Sequence, residues 1–260
     1  MRLFETPTSR PSIEIDSEPL CICCNRIAVP TTQCRKGYEM PLDPRIEERL
    51  ARIDAVAPDT EASDIILNGI SLHIDAGVFN PNKGKSGRKM LRAIDLMPPT
   101  PDARIVEIGT GSGLLSSAMW LRGCRQIIAT DIMDEACDNG RRNFDRLGFR
   151  IPVVKSDLFA NVNNDFDYVI FNAPAAHPAR FSANVGATTL WDVTGTTKPR
   201  FIEQLRQKKP SGRLRAMFMY STYIDYDPFD AISLDGFDVS FLLVDKDEIS
   251  ETGVVLLSRD

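Results

Sequence analysis

At 260 residues, with 43% hydrophobic and 26% charged residues, the chain carries enough apolar surface for one α/β domain with an extension. Its formal charge of −5 argues against a large nucleic-acid footprint, which depends on clustered Lys and Arg. No apolar run approaches the roughly 20 residues needed to span a bilayer, and the opening MRLFETPTSRPSIEID lacks the apolar stretch of a signal peptide, so a cytoplasmic protein with no membrane partner is expected.

Residues 1–62 read as an N-terminal extension ending in a helix. Residues 1–42 are rich in Pro, Ser, Thr and Cys, without sustained periodicity. Four of the six cysteines, Cys21, Cys23, Cys24 and Cys34, crowd there. Their C-x-C-C-x9-C spacing departs from the paired C-x2-C of structural zinc. Free thiols are the expectation, with zinc or a redox role the alternative, and no metal ligand is assigned. Asp43 is placed to cap a helix beginning at Pro44, with Ile46, Leu50, Ile53 and Val56 on one face.

A domain is expected over residues 63–260. DIILNGISLHID alternates about a central Asn68-Gly69 and predicts a two-stranded hairpin. SGRKMLRAIDLMP predicts a helix stopped by Pro98 and Pro99. From residue 103, short apolar runs alternate with helical segments: strands in ARIVEIG, RQIIATD, PVVKSD, FDYVIFN and GRLRAMFMY, and helices in SGLLSSAMWLRG, DEACDNGRRNFDRLG and PRFIEQLRQKK. A short helix is expected near 228–235. FDVSFLLVD and TGVVLLSRD then follow as two strands joined by a turn. The prediction is a Rossmann-like α/β fold: seven strands, mostly parallel, with a C-terminal antiparallel hairpin at one edge.

The motif with most chemical content is Glu107-Ile108-Gly109-Thr110-Gly111-Ser112-Gly113. A strand runs into a glycine-rich turn and then a helix, so backbone can approach a ligand closely. Leu114 occupies the place where a dinucleotide G-x-G-x-x-G needs its last glycine. Acidic residues recur on successive strands: Glu107 stands within the first, Asp131 ends the next, and Asp157 closes the third in KSDLF. S-adenosylmethionine (SAM) carries an ammonium and a sulfonium and no phosphate, so it has more use for carboxylates than for an anion trap. Asp131 is positioned to accept both ribose hydroxyls, and Asp157 to take the adenine amino group while Leu158 packs the ring. The alternative for each Asp alone is an N-cap of the following helix.

With those residues in view, the segment from about 64 to 260 resembles the small-domain class I methyltransferases. That group includes the HemK-type release-factor glutamine methyltransferases and the RsmC-type rRNA guanine methyltransferases. The matching pieces are Gly77-Val78-Phe79-Asn80-Pro81, VEIGTGSGLLS, ATDIMDEACDNGRRN, SDLF and DYVIFNAP. The group carries Asn-Pro-Pro-aromatic after the fourth strand, where the Asn side chain and the next carbonyl hold the substrate's amino group. Here the run is Asn172-Ala173-Pro174-Ala175. The resemblance therefore implies Asn172 as catalytic and cofactor-adjacent, and Ala173 and Pro174 as substrate contacts. The missing ring leaves Phe79, Phe181 or Trp191 as replacement walls.

His177 is a candidate general base, with a surface-loop histidine as the alternative. His73 is expected to be a half-buried strand residue. Trp191 and Asp192 precede the next helix and are candidates for substrate recognition, although packing alone also suits Trp191. The function expected is SAM-dependent N-methylation of a small metabolite or a protein side chain. The alternatives are a non-catalytic SAM-fold scaffold, a methyltransferase acting on RNA or on an oxygen or carbon nucleophile, and a dinucleotide-dependent oxidoreductase, which the incomplete glycine pattern disfavours.

Overall fold

The computed structural model describes residues 58–163, 165–176, 191–192, 196–208, 212–223, 233–247 and 250–260, all within a compact unit spanning residues 45–260. The cysteine cluster at 21–34, the helix expected from Asp43, His177, Phe181 and most of the helix expected near 228–235 lie outside these residues.

Strands β1 (Ser63–Leu67) and β2 (Ile70–Ile74) form the expected antiparallel hairpin. Asn68 and Gly69 both have positive φ, 50° and 78°, as a two-residue hairpin turn of matching twist requires. Ile70, Leu72 and Ile74 alternate inward and are buried. Helix α1 (Ser86–Leu96) follows, burying Met90, Leu91, Ala93 and Ile94 on one face before Pro98 and Pro99.

The alternating region gives β3 (Arg104–Ile108), α2 (Leu114–Leu121), β4 (Gln126–Asp131), α3 (Asp134–Leu147), β5 (Val153–Lys155) and β6 (Tyr168–Phe171). A two-residue parallel pair, β7 (Ala175–Ala176) and β8 (Trp191–Asp192), precedes α4 (Thr197–Gln207). Strands β9 (Leu214–Tyr223), β10 (Asp238–Lys246) and β11 (Ser250–Arg259) complete the chain order.

The main sheet has seven strands in the order β10-β11-β9-β6-β3-β4-β5. Neighbouring strands from β9 through β5 pair in parallel, and β11 runs antiparallel to both β9 and β10. The late hairpin is present as expected, with its second strand inside the sheet and β10 at the edge. Strand order reverses between β6 and β4 on either side of β3, which opens a crevice beyond their carboxyl ends.

Alternation along the strands sorts the core onto two faces. Ile105, Ile127, Ala129, Ile170 and Met217 pack with the hairpin, α1, α2 and Phe144 of α3. Val106, Ile108, Val169, Phe171, Ala216 and Phe218 pack with α4 on the other. Phe201 of α4 is fully buried, its ring 5.1 Å from Phe171, 5.5 Å from Phe159 and 5.6 Å from Phe218. Removing one such side chain from water contributes roughly 1.5–3 kcal/mol. This anchor seats the first turn of α4 beside the end of β6.

Candidate active site

A cavity of about 470 Å³ lies at the carboxyl ends of β3, β4 and β6, walled by the loops that follow them and by α1 and α4. It brings together Glu107, Gly109, Gly111, Asp131, Asp157 and Leu158 with Phe79, Asn172 and Pro174.

Glu107 is the polar exception in an apolar strand and is 1% exposed. Its Oε2 accepts from the Thr110 hydroxyl at 2.9 Å, the Ser116 amide at 3.1 Å and the Ser116 hydroxyl. Burial nevertheless pushes its carboxyl up to about 7, against the lowering by Ser116 and Thr110. Among the described residues Oε1 takes no hydrogen bond, and Glu107 lines the cavity. A cationic group placed there would meet a carboxylate in a dry site, where attraction is little screened.

Asp131 ends β4 and accepts from the Gly111 amide at 3.0 Å and the Met133 amide at 3.1 Å. It therefore ties the glycine loop to the end of the neighbouring strand rather than capping α3, whose N-cap residue is Met133. Burial raises its pKa, with the amide bonds of Gly111, Met133 and Ile132 opposing. The carboxylate retains lone-pair capacity for a ligand hydroxyl.

The three loop glycines do different work. Gly109 and Gly111 have φ of 68° and 53° and line the cavity, and nothing stands within 4 Å of a side chain added at Gly111. Gly113 is expected at the ligand but does not line the cavity. A Cβ there would sit 2.6 Å from the Phe144 ring, so its glycine serves close packing of α2 against α3.

Strand β5 stops at Lys155, and Asp157 lies two residues beyond it in a turn, with no helix directly after to cap. Its Oδ2 pairs with the Arg200 guanidinium of α4 at 2.6 Å. Leu158, at φ 50°, is buried against the cavity wall.

At the other end Asn172 directly follows β6. Its amide nitrogen donates to the Ser86 hydroxyl at 3.3 Å, and its side-chain oxygen has no partner among the described residues. Ala173, expected as a substrate contact, is instead buried in the core beside Phe171 and does not line the cavity. The Pro174 carbonyl accepts from Lys198 Nζ at 2.6 Å. The Trp191 backbone pairs with Ala175, so β8 brings that residue next to the loop although 16 positions separate them in sequence. His73 is half-buried in β2 as expected, between Asp64 and Asp75.

Sequence reasoning missed Ser86, Lys198 and Arg200. The legible signal was Lys198 itself, a lysine in the first turn of a helix whose first turn holds no acidic residue.

Residues 69–192, from the hairpin turn to the end of β8, match the family described as Methyltransferase small domain. That stretch is just under half of the chain. A protein from Methanocaldococcus jannaschii, provisionally named an N5-glutamine methyltransferase, is 29% identical over 110 residues, 42% of this chain and 53% of that protein. The ribosomal protein L11 methyltransferase of Syntrophotalea carbinolica is 30% identical over 138 residues, 50% of this chain and 41% of that one. The chain thus spans about half or less of the length of these curated relatives. The Thermus thermophilus 16S rRNA N2 guanine methyltransferase RsmC, solved with AdoMet and guanosine, shares the fold at a TM-score of 0.53 and 15% identity, over 77% of this chain and 50% of that one. The fold is that of the class I methyltransferases. No described helix is long and apolar enough to cross a membrane.

Proposed function

We propose that this methyltransferase small domain binds SAM in the cavity and transfers its methyl group to a nitrogen atom of a small metabolite or a protein side chain. The observation that carries the reading is the single cavity that joins an acidic, glycine-rich end to Asn172 and Pro174. Glu107 and Asp131 would serve the ammonium and the ribose, and Asp157 and Leu158 the adenine. Asn172 cannot remove a proton. Its side-chain oxygen, which has no partner among the described residues, can hold an N–H of the acceptor and leave the lone pair facing the methyl group.

The test starts with calorimetry against SAM and S-adenosylhomocysteine, with NAD as the competing ligand. Binding of NAD and neither methyl-cycle ligand would overturn the reading. Labelled SAM is then offered with amino-group metabolites, peptides and RNA fragments. Methyl uptake that falls 10- to 1000-fold in Asn172→Ala, about 1.4–4 kcal/mol of lost orientation, is the expected result.

A second reading, RNA as acceptor, draws support from α1. Lys85, Arg88 and Arg92 are exposed and spaced i, i+3, i+7, a basic face beginning next to Ser86. Uptake confined to the RNA fragments would select it.

A further inference from the structure

Lys198 is the second residue of α4, and it is only 2% exposed. Two physical costs attach to that position. An ammonium stripped of water costs several kcal/mol unless it is well paired. A cation in a first turn also faces the positive end of the helix macrodipole, and α4 has no acidic residue there to offset it. A lysine held at such a place needs a compensating contact. One such contact is a charge-assisted hydrogen bond of 2.6 Å to the Pro174 carbonyl.

That carbonyl belongs to the acceptor end of the cavity. Three consecutive residues there are held from three directions. The Asn172 amide nitrogen is held by Ser86 of α1 at 3.3 Å. The Ala173 side chain is seated in the core. The Pro174 carbonyl is held by Lys198 of α4. The resembling group carries proline where this chain has Ala173 and an aromatic residue where it has Ala175. Proline fixes φ, and alanine leaves it free, so this loop needs an outside restraint to hold one backbone direction.

We infer that Lys198 is a positioning residue: it clamps the Pro174 carbonyl so that the Asn172 side-chain oxygen keeps a fixed aim at the group being methylated. The inference rests on the methyltransferase reading and adds to it how this chain orders an acceptor loop that lacks the second proline and the ring.

Sinefungin tests it without knowledge of the acceptor. This SAM analogue carries an amine-bearing carbon where SAM has its methylated sulfur, so its amine reaches into the acceptor end. S-adenosylhomocysteine places nothing there. Calorimetry on the wild type should show sinefungin preferred by about tenfold, the worth of one charge-assisted hydrogen bond. In Lys198→Met the affinity for S-adenosylhomocysteine stays within about threefold while the preference for sinefungin disappears. Lys198→Arg restores the preference. Lys198→Ser, which suits a first helical turn and admits water, carries the same expectation as Lys198→Met should that variant not fold.

Several results would overturn the proposal. They are a wild type without preference, a Lys198→Met or Lys198→Ser variant that keeps it, and one whose preference rises because a repelling charge has gone. Equal loss of both ligands would assign Lys198 to the fold at large. Hydrogen exchange of residues 172–176 separates this proposal from the methyltransferase reading. It should quicken about tenfold in Lys198→Ser, the effect of weakening local closure by one such bond. Unchanged exchange removes the clamp. A wild type that binds neither ligand counts against the methyltransferase reading instead.

Discussion

The Ser112 carbonyl in the glycine loop accepts a hydrogen bond of 2.9 Å from the side-chain amide of Asn143 on α3. The same amide nitrogen donates to the His73 carbonyl of β2 at 2.7 Å, and its oxygen accepts from the His73 backbone amide at 2.8 Å. One buried side chain thus joins the hairpin, the helix and the proposed cofactor cradle. Asn143→Leu leaves the His73 amide and the Ser112 carbonyl without these partners. Urea unfolding should show a loss of about 2–3 kcal/mol, and affinity for S-adenosylhomocysteine should fall with it. A loss of affinity without a loss of stability would mean that Asn143 meets the ligand directly.

Glu107 makes stability depend on pH in a stated direction. Its folded pKa is about 7 against an ordinary 4.5, so the folded protein keeps a proton that the unfolded chain gives up within that window. Stability therefore falls as pH rises from about 4.5 to about 7 and levels off above, by about 3 kcal/mol in all. Asp131, also raised by burial, acts with the same sign. Glu107→Gln should flatten most of that slope in melting experiments. A slope equally steep in the variant would assign the proton to another group. Binding of SAM at pH 7 should also release part of a proton, measurable by calorimetry in buffers of different ionisation heat.

Gly111 and Gly113 are expected to fail differently. Gly113→Ala combines φ of 83° with an overlap on Phe144, so it should cost several kcal/mol of folding stability, about 1–2 from the backbone alone. Phe144→Leu in the same chain should recover part of that loss, a non-additive pair. Gly111→Ala meets no protein atom and should stay folded, while its side chain takes up room in the ligand cavity. Normal binding by a folded Gly111→Val would detach the loop from the ligand.

Asp157 and Arg200 form an ion pair whose side chains are 44% and 47% exposed. Such a pair contributes little, and Arg200→Ala should change stability by less than about 1 kcal/mol. If Asp157 serves the adenine amino group, Asp157→Ala weakens S-adenosylhomocysteine about tenfold, while Arg200→Ala leaves it equal or tighter because a competitor for the carboxylate has gone. Parallel losses in both variants would show that the pair acts as one unit.

These contrasts trace what could be read from the chain before its fold was known. Asn68-Gly69 announces its hairpin because few residues accept positive φ at both positions. Strands β3, β4 and β6 are legible because parallel strands buried on both faces read as apolar runs. Glu107 and Asp131 stood out as carboxylates beside a glycine turn, and both line the cavity. Gly113 could not be told from its neighbours, since spacing does not reveal that Phe144, 31 positions on, fills the room a side chain would need. Asp157 read as a strand end because KSD continues an apolar run that the sheet abandons after Lys155. Ser86 was hidden for a related reason: it meets Asn172 across 86 residues, and an isolated serine in a basic stretch carries no periodic signal.

The inside position of β11 has a consequence for how the protein is made. Ten registered pairs join β11 to β9, and β10 reaches the sheet only through β11. During synthesis the apolar flank of β9 stays open until β11, which begins 27 residues after Tyr223 and ends 36 residues after it, emerges from the ribosome. That interval, a second or more at ordinary elongation rates of about 5–20 residues per second, is when this chain is most exposed to aggregation and most in need of a chaperone.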